Sequence, residues 1–251
     1  MKLGLMQPYF FPHIEYFSLI ENCDYFIVFD TPQFVRRGWT ERNRIIKANG
    51  DFSYIKVPLI KAPRDTSIID MRIDNSHPWK DKIISQLEVY RDKAPYFEQV
   101  LGIISSCFKN EDDSISKLNE NIIRTICCYL GINTKIDVLS EMGLDLPPPN
   151  LPDEWALNIC KKLSFNNYVN ASGGYYLYDP VKYKENGVNL FLIEQPVLEY
   201  KQFELEFTPG LSILDTMMFN SPENILTMIK KSKLNSPLSD ALLEKMVCKT
   251  T

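Results

Sequence analysis

The first thirty residues, MKLGLMQPYFFPHIEYFSLIENCDYFIVFD, contain a change of hydrophobic period that few folds accommodate. KLGLMQ at 2–7 is a short apolar run. Apolar residues then recur at helical spacing through FPHIEYFSLIENC, and DYFIVFD at 24–30 is a second apolar run bounded by two aspartates. Runs this short, with little polar alternation, suit strands buried on both faces. The unit is therefore strand, helix, strand. If the strands are neighbours in one sheet they run parallel with a right-handed crossover. The loop between the first strand and the helix, QPYFFPH, then lies at the carboxyl edge, where open α/β sheets bind ligands.

The same alternation returns later in the chain. After Asp30 a long polar and basic connection, TPQFVRRGWTERNRIIKANGDF, leads to YIKVPLI and SIIDMRID, both of which read as further strands. From 76 to 145 the period is helical, with KAP as a break and Gly131 as a helix stop. LPPPNLP at 146–152 is a stiff connector. Beyond it come a helix (EWALNICKKLSF), a strand (NYVNA), a turn (SGG), a short helix (YDPVKYKENG) and a strand (VNLFLIE). SPENILTMIKKSKL then reads as a helix with Ser221 as N-cap and Pro222 at its first position. The expected fold is α/β, a mainly parallel Rossmann-like sheet with a helical insert or subdomain. Residues 1–75 form its N-terminal part, 76–145 the insert, and 146–251 a C-terminal part completing the same fold.

Composition narrows the function classes. With 28 basic and 32 acidic side chains and a net charge of −4, the chain has no uniform positive field for wrapping duplex nucleic acid. No apolar run approaches the roughly 20 residues needed to span a bilayer, and the N-terminus lacks the cleavage site of a secretory signal. The six cysteines, at 23, 107, 127, 128, 160 and 248, show neither CxxC spacing nor the density of a disulfide scaffold. They read as free thiols of a cytoplasmic protein. The only two histidines, His13 and His77, are far apart in sequence, and no metal site is expected.

Three stretches carry candidate chemistry. In the opening loop, rings with polar tips are what a sugar or nucleobase platform requires: Tyr9 and Phe10 to stack, and Gln7, Tyr9 and His13 to orient by hydrogen bonding. Phe10, Phe11, Tyr16 and Phe17 also suit a core, the last two most of all. In RRGWTERNR, Arg36, Arg37, Arg42 and Arg44 surround Trp39 and Asn43; guanidinium forks bind phosphate or carboxylate, and an indole among them can stack a base or sugar. In SGGYYLYD, Ser172, Gly173 and Gly174 let backbone approach a ligand where a strand meets a helix. Asp30 and His13, both at the presumed ligand edge, are the acid–base candidates.

Taken in order, QPYFFPHIEYF, the strand ending FD before PQFVRRGW, NRI, KAPYF, SGGYYLY, EYKQF and LSILDTMMF resemble the WbqC-like family of bacteria over nearly the full chain. The motif positions carried over are Gln7, Pro8, Phe11, Pro12, Asp30, Gln33, Arg37, Trp39, Asn43 and Arg44. The chain departs from the usual pattern at Thr31, where a second aspartate is common, and at His13, where an aromatic is common. The resemblance implies a role in making O-antigen or other surface polysaccharide. The leading expectation is an enzyme that forms an amide on the amino group of a nucleotide-linked sugar, using an acyl or aminoacyl donor. Arginines, with Gln33, would hold the nucleotide, the aromatic loop the sugar, and His13 or Asp30 would take the proton. A non-catalytic glycan-binding or assembly protein and a glycosyltransferase are the alternatives. The sequence assigns no cofactor and leaves self-association into a homo-oligomer open.

Overall fold

The computed structural model of the chain describes residues 1–109, 112–203 and 206–236. The N-terminal unit consists of β1 (Lys2–Met6), α1 (Ile14–Glu21) and β2 (Tyr25–Val28), with β1 and β2 parallel and Leu3 opposite Tyr25. All four residues of β2 are buried, which is why its sequence shows no alternation. Gly4 lets β1 approach what covers it, since a Cβ there would stand 2.6 Å from Cys23 Sγ and 3.0 Å from the Phe26 ring.

The long connection after Asp30 is more ordered than its polarity suggests. It contains β3 (Arg42–Ile46), which pairs antiparallel with β4 (Phe52–Lys56) in a hairpin separate from the main sheet. SIIDMRID is not a strand; it is held by isolated bridges, Gln33 to Ser67, Leu59 to Ile73 and Arg72 to Ser114, and by single backbone bonds such as those of the Ile68 and Ile69 amides to the Pro32 and Asp30 carbonyls. Then follow α2 (Trp79–Leu87), α3 (Phe97–Cys107) and α4 (Ile115–Leu130), the last stopped by Gly131 in the left-handed region at φ 72°. The strand β5 (Lys135–Val138) comes next, with no counterpart among the sequence expectations.

The C-terminal third supplies α5 (Glu154–Leu163), β6 (Asn167–Ala171), α6 (Pro180–Glu185), β7 (Asn189–Glu194), α7 (Ile213–Phe219), α8 (Pro222–Ile229) and the short β8 (Lys233–Asn235). The cap of α8 forms as read, with Ser221 accepting from the Asn224 amide and Pro222 in the first turn. The six-stranded sheet has the order β5-β2-β1-β6-β7-β8, parallel throughout except for β8.

Two cores cover the sheet. On one face Phe17, Phe26 and Val169 pack with residues of α1, α4, α7 and α8; on the other Leu3, Leu5 and Tyr168 pack with α5 and Tyr183 of α6. The crossover after β1 thus takes one face and the crossover after β6 the other. Because β1 and β6 are neighbours, the chain parts between their carboxyl ends, and this switch point is where a doubly wound sheet leaves a crevice.

Candidate functional site

The loop after β1 is built to be rigid. Pro8 and Pro12 contribute no amide hydrogens, and the loop's carbonyls are taken by side chains from distant elements. Tyr16 Oη donates to the Gln7 carbonyl (3.0 Å), Asn119 Nδ2 to that of Pro8 (2.9 Å), and Asn43 Nδ2 to those of Phe10 and Phe11 (3.1 and 2.8 Å). Ser212 Oγ donates to the Phe11 carbonyl at 2.7 Å and the Ile213 amide to that of Pro12 at 2.9 Å. This network holds Phe11 at φ 41°, a conformation costly for an aromatic residue that persists only when the surroundings over-determine it. The loop is thereby divided. Phe10 and Phe11 are fully buried, ring edge to ring face, in the core, whereas Gln7, Tyr9 and His13 stay partly exposed.

Asp30, 1% exposed, ends the β2 segment as a clamp. It accepts from Ser140 Oγ (2.6 Å), the Ser140 amide (3.2 Å) and Ser116 Oγ (3.3 Å), joining β2 to the turn after β5 and to α4. These donors satisfy a carboxylate held away from water. Asn43, also buried, serves the loop carbonyls and not solvent.

The titratable pair at the switch point is His13 and Glu15. His13 is the N-cap of α1, its Nδ1 accepting from the Glu15 amide at 3.4 Å. That acceptor role places the proton of the neutral ring on Nε2. Burial, with the nearby Arg44 guanidinium, lowers the His13 pKa to about 4, so the imidazole is uncharged at neutral pH. Glu15 is shifted the other way: burial raises its carboxyl above the usual range, and a hydrogen bond with the Ser172 side chain only partly offsets this. Both shifts come chiefly from burial, which favours the uncharged form of each group, and they set two perturbed titratable side chains beside one cavity. A cavity of about 290 Å³ opens beside both, lined also by Gln195, Tyr200, Thr208 and Thr216.

Tyr200 is braced from behind by the fully buried Asp215, which accepts from Tyr200 Oη (2.7 Å), Tyr90 Oη (2.7 Å) and Gln202 Nε2 (2.6 Å). Burial raises the Asp215 carboxyl and these three donors hold it partly back.

Ser172, Gly173 and Gly174 lie in the short 3-10 helix 172–177 after β6. Ser172 meets Glu15, and Gly174 backs onto Tyr178 and Asn170. Tyr9 is adjacent to Tyr178 and Tyr176 and is raised in pKa chiefly by burial. The loops after β1 and β6 therefore bring Gln7, Tyr9, His13 and Ser172–Gly174 to one edge.

The arginine-rich stretch divides. Arg44 sits at this edge, its guanidinium 5.2 Å from the Trp39 ring and 5.1 Å from that of Phe52, and its Nη2 would lie 3.2 Å from a Cβ at Gly210 on the cavity wall. Arg36 and Arg37 line a different cavity, of about 260 Å³, with Lys56, Lys61 and Glu41. There the Arg37 amide donates to Glu41 Oε1, fixing Arg37 at φ 58°, and Lys56 Nζ is 3.2 Å from Glu41 Oε2. Arg36 Nη2 reaches the Ala62 carbonyl and Gln33 Nε2 that of Arg64, both at 2.6 Å. The four arginines therefore do not form one cluster, and the turn at 37–41 separates Arg37 from Arg44.

The cysteines stand apart from this chemistry. Of the five within the described residues, all free, only Cys128 is exposed, and burial pushes the Cys107 thiol up to about 11 and that of Cys160 up to about 12. Cys248 lies outside the described residues. Among the described residues, no cluster of three or more His, Cys, Asp or Glu is placed to hold a metal, and no helix is long and apolar enough to cross a membrane.

The fold and the edge define a doubly wound α/β protein with a crevice where its sheet changes direction. The chain belongs to the WbqC-like protein family, whose family model matches residues 7–227. It is similar to the uncharacterized protein Rv1507c of Mycobacterium tuberculosis, at 28% identity over 222 residues, covering 87% of this chain and 93% of that one. No solved structure matches the chain.

Proposed function

We propose that the protein is a cytoplasmic transferase of bacterial surface-polysaccharide biosynthesis that joins an acyl or aminoacyl group to the amino nitrogen of a nucleotide-linked sugar. The observation that carries this reading is the pair formed by neutral His13 and Glu15, whose carboxyl is raised by burial, on one cavity beside the loop after β1. Amide formation from an activated donor needs a group to accept the amine proton and a donor to the oxyanion that forms on the acyl carbon. Glu15 supplies the first. His13 Nε2–H, uncharged and therefore a donor without a full positive charge, supplies the second.

The amine nitrogen attacks the acyl carbonyl and loses its proton to Glu15. The tetrahedral oxyanion accepts from His13, and its collapse expels the donor's leaving group, which takes the proton back from Glu15. Tyr200 and Phe207 give the sugar flat and hydrogen-bonding walls in the cavity, with Tyr9 and Tyr178 on the same edge outside its lining, and Arg44 provides positive charge beside His13 for the substrate's phosphates.

The test is direct: purified protein is incubated with nucleotide-linked 4-amino sugars and a panel of activated acyl and aminoacyl donors, and products are read by mass spectrometry. A mass increase equal to the acyl group for one pair supports the reading. Binding of the sugar nucleotide with no product from any donor would leave a carbohydrate-binding protein without chemistry.

A further inference from the structure

On one face of the hairpin β3–β4, Ile46 is buried in the core, while arginines and rings beside it lie outside both cores. Arg42 and Arg44 alternate along β3 while Phe52, Tyr54 and Lys56 alternate along β4, the register setting Arg42 opposite Lys56 and Arg44 opposite Tyr54. The Arg42 guanidinium lies 4.1 Å from the Tyr54 ring centre, and Arg44 lies between Trp39 and Phe52. Trp39, Phe52 and Tyr54 are each close to two-fifths exposed, at 39%, 39% and 38%.

Both Nε atoms, of Arg42 and of Arg44, are shielded from solvent and lack a hydrogen-bond partner. Among the described residues neither guanidinium has a carboxylate within ion-pair distance or a side-chain hydrogen bond. Guanidinium groups held on aromatic faces without a protein anion are poised for an external one, because stacking fixes the fork and leaves its edge free for phosphate. Glu41, the residue before Arg42, is occupied by Lys56 and the Arg37 amide.

We propose that this hairpin face is the binding platform for the nucleoside diphosphate of the substrate. The base stacks on the exposed ring of Phe52 or Trp39, and the diphosphate pairs with Arg42 and Arg44. Arg44 links platform and cavity, since it adjoins His13 and reaches the Gly210 wall, so a sugar attached to the diphosphate extends toward Glu15. A mononucleotide suits the face better than a nucleic acid strand, because the platform is one short hairpin on a chain of net charge −4. This assignment rests on the reading of the substrate as a nucleotide-linked sugar, and it commits to Arg42, Arg44 and Phe52 over the Arg36–Arg37 cavity.

The test is calorimetric titration of the full chain with UDP, dTDP and GDP, without any acyl donor, on wild type and on Arg42→Gln, Arg44→Gln, Phe52→Ala and Arg37→Gln, each checked by thermal melting. At least one diphosphate should bind. Losing one charge-assisted hydrogen bond should then weaken it about tenfold or more in Arg42→Gln and Arg44→Gln. Phe52→Ala should weaken it several-fold and Arg37→Gln less than twofold. Phe52→Ala alters a half-exposed ring, so it remains informative if an arginine variant fails to fold. Wild-type affinity in folded Arg42→Gln and Phe52→Ala, no binding of any diphosphate, or tighter binding of a single-stranded oligonucleotide than of every diphosphate would each overturn the proposal. Diphosphate binding on the platform without transfer would defeat the enzyme reading alone, whereas transfer with unchanged KM in the platform variants would defeat the platform alone.

Discussion

Replacing His13 by asparagine separates its two roles, because asparagine is as good an N-cap but does not titrate. In the folded chain the imidazole pKa is about 4, against an ordinary value of 6.5. A base whose folded pKa is lowered costs stability as pH falls below its unfolded pKa, since only the unfolded chain takes up the proton; the loss is complete once pH is below the folded pKa. From those two values, wild type should lose about 1.4 kcal/mol at pH 5.5 and about 2.5 kcal/mol at pH 4.5 relative to pH 8 through this residue alone. Glu15 and Asp215, raised by burial, act in the opposite sense, since their stability cost builds as pH rises above the ordinary carboxyl pKa and is complete above the folded one. The difference between wild type and His13→Asn cancels their contribution. Urea unfolding of both proteins at half-unit steps from pH 4.5 to 8 gives that difference. His13→Asn should gain on wild type progressively below pH 6.5, and parallel curves across the whole range would refute a buried, neutral His13.

Two further outcomes test the division of the aromatic loop and the sheet edge. Phe17→Ala removes a fully buried ring and should cost about 3–5 kcal/mol in chemical denaturation, while Tyr9→Ala, at a partly exposed position, should melt later than Phe17→Ala yet lose affinity for the sugar nucleotide; equal melting would return Tyr9 to the core. Asp30→Asn should destabilise by about 1–3 kcal/mol, because the amide keeps one oxygen for the Ser140 amide but loses the second acceptor that now takes the Ser140 and Ser116 hydroxyls; an unchanged unfolding midpoint would show that the clamp contributes nothing.

What the sequence made legible follows from how each element is buried. The segments β1, β2, β6 and β7 lie inside the sheet under helices on both sides, so their apolar runs stand out. In contrast, β5 is an edge strand of four residues, Lys135–Val138, with Lys135 exposed and Asp137 half-buried, too short and too polar to show a period. β3 was hidden for a related reason: two of its five residues are arginines that point away from both cores, so RNRII merges with the basic connection around it. SIIDMRID misled in the other direction, its apolar residues being anchored by single bridges and loop packing without a ladder.

The site was legible in part. A loop after a first parallel strand is a ligand position by topology, which located Gln7, Tyr9 and His13. Glu15 gave no signal because an acid in the first turn of a helix is ordinary, favoured by the helix dipole; only its burial and its bond to Ser172, contributed by the segment after β6 more than 150 residues away, set it apart. Asp215 did leave a trace, as the lone charge in the apolar run LSILDTMMF, and a buried carboxylate braced by tyrosines is what such an anomaly marks.

The central claim is that Glu15 accepts the amine proton during transfer. The most direct measurement is single-turnover acyl transfer to a nucleotide-linked amino sugar by wild type and Glu15→Gln, read by mass spectrometry, with diphosphate affinity and melting temperature measured alongside. Removing a general base should slow transfer about 100-fold or more with unchanged diphosphate affinity and an equal or higher melting temperature, since glutamine retains the contact with Ser172 without a buried charge. Transfer at the wild-type rate by a folded Glu15→Gln protein would contradict the account.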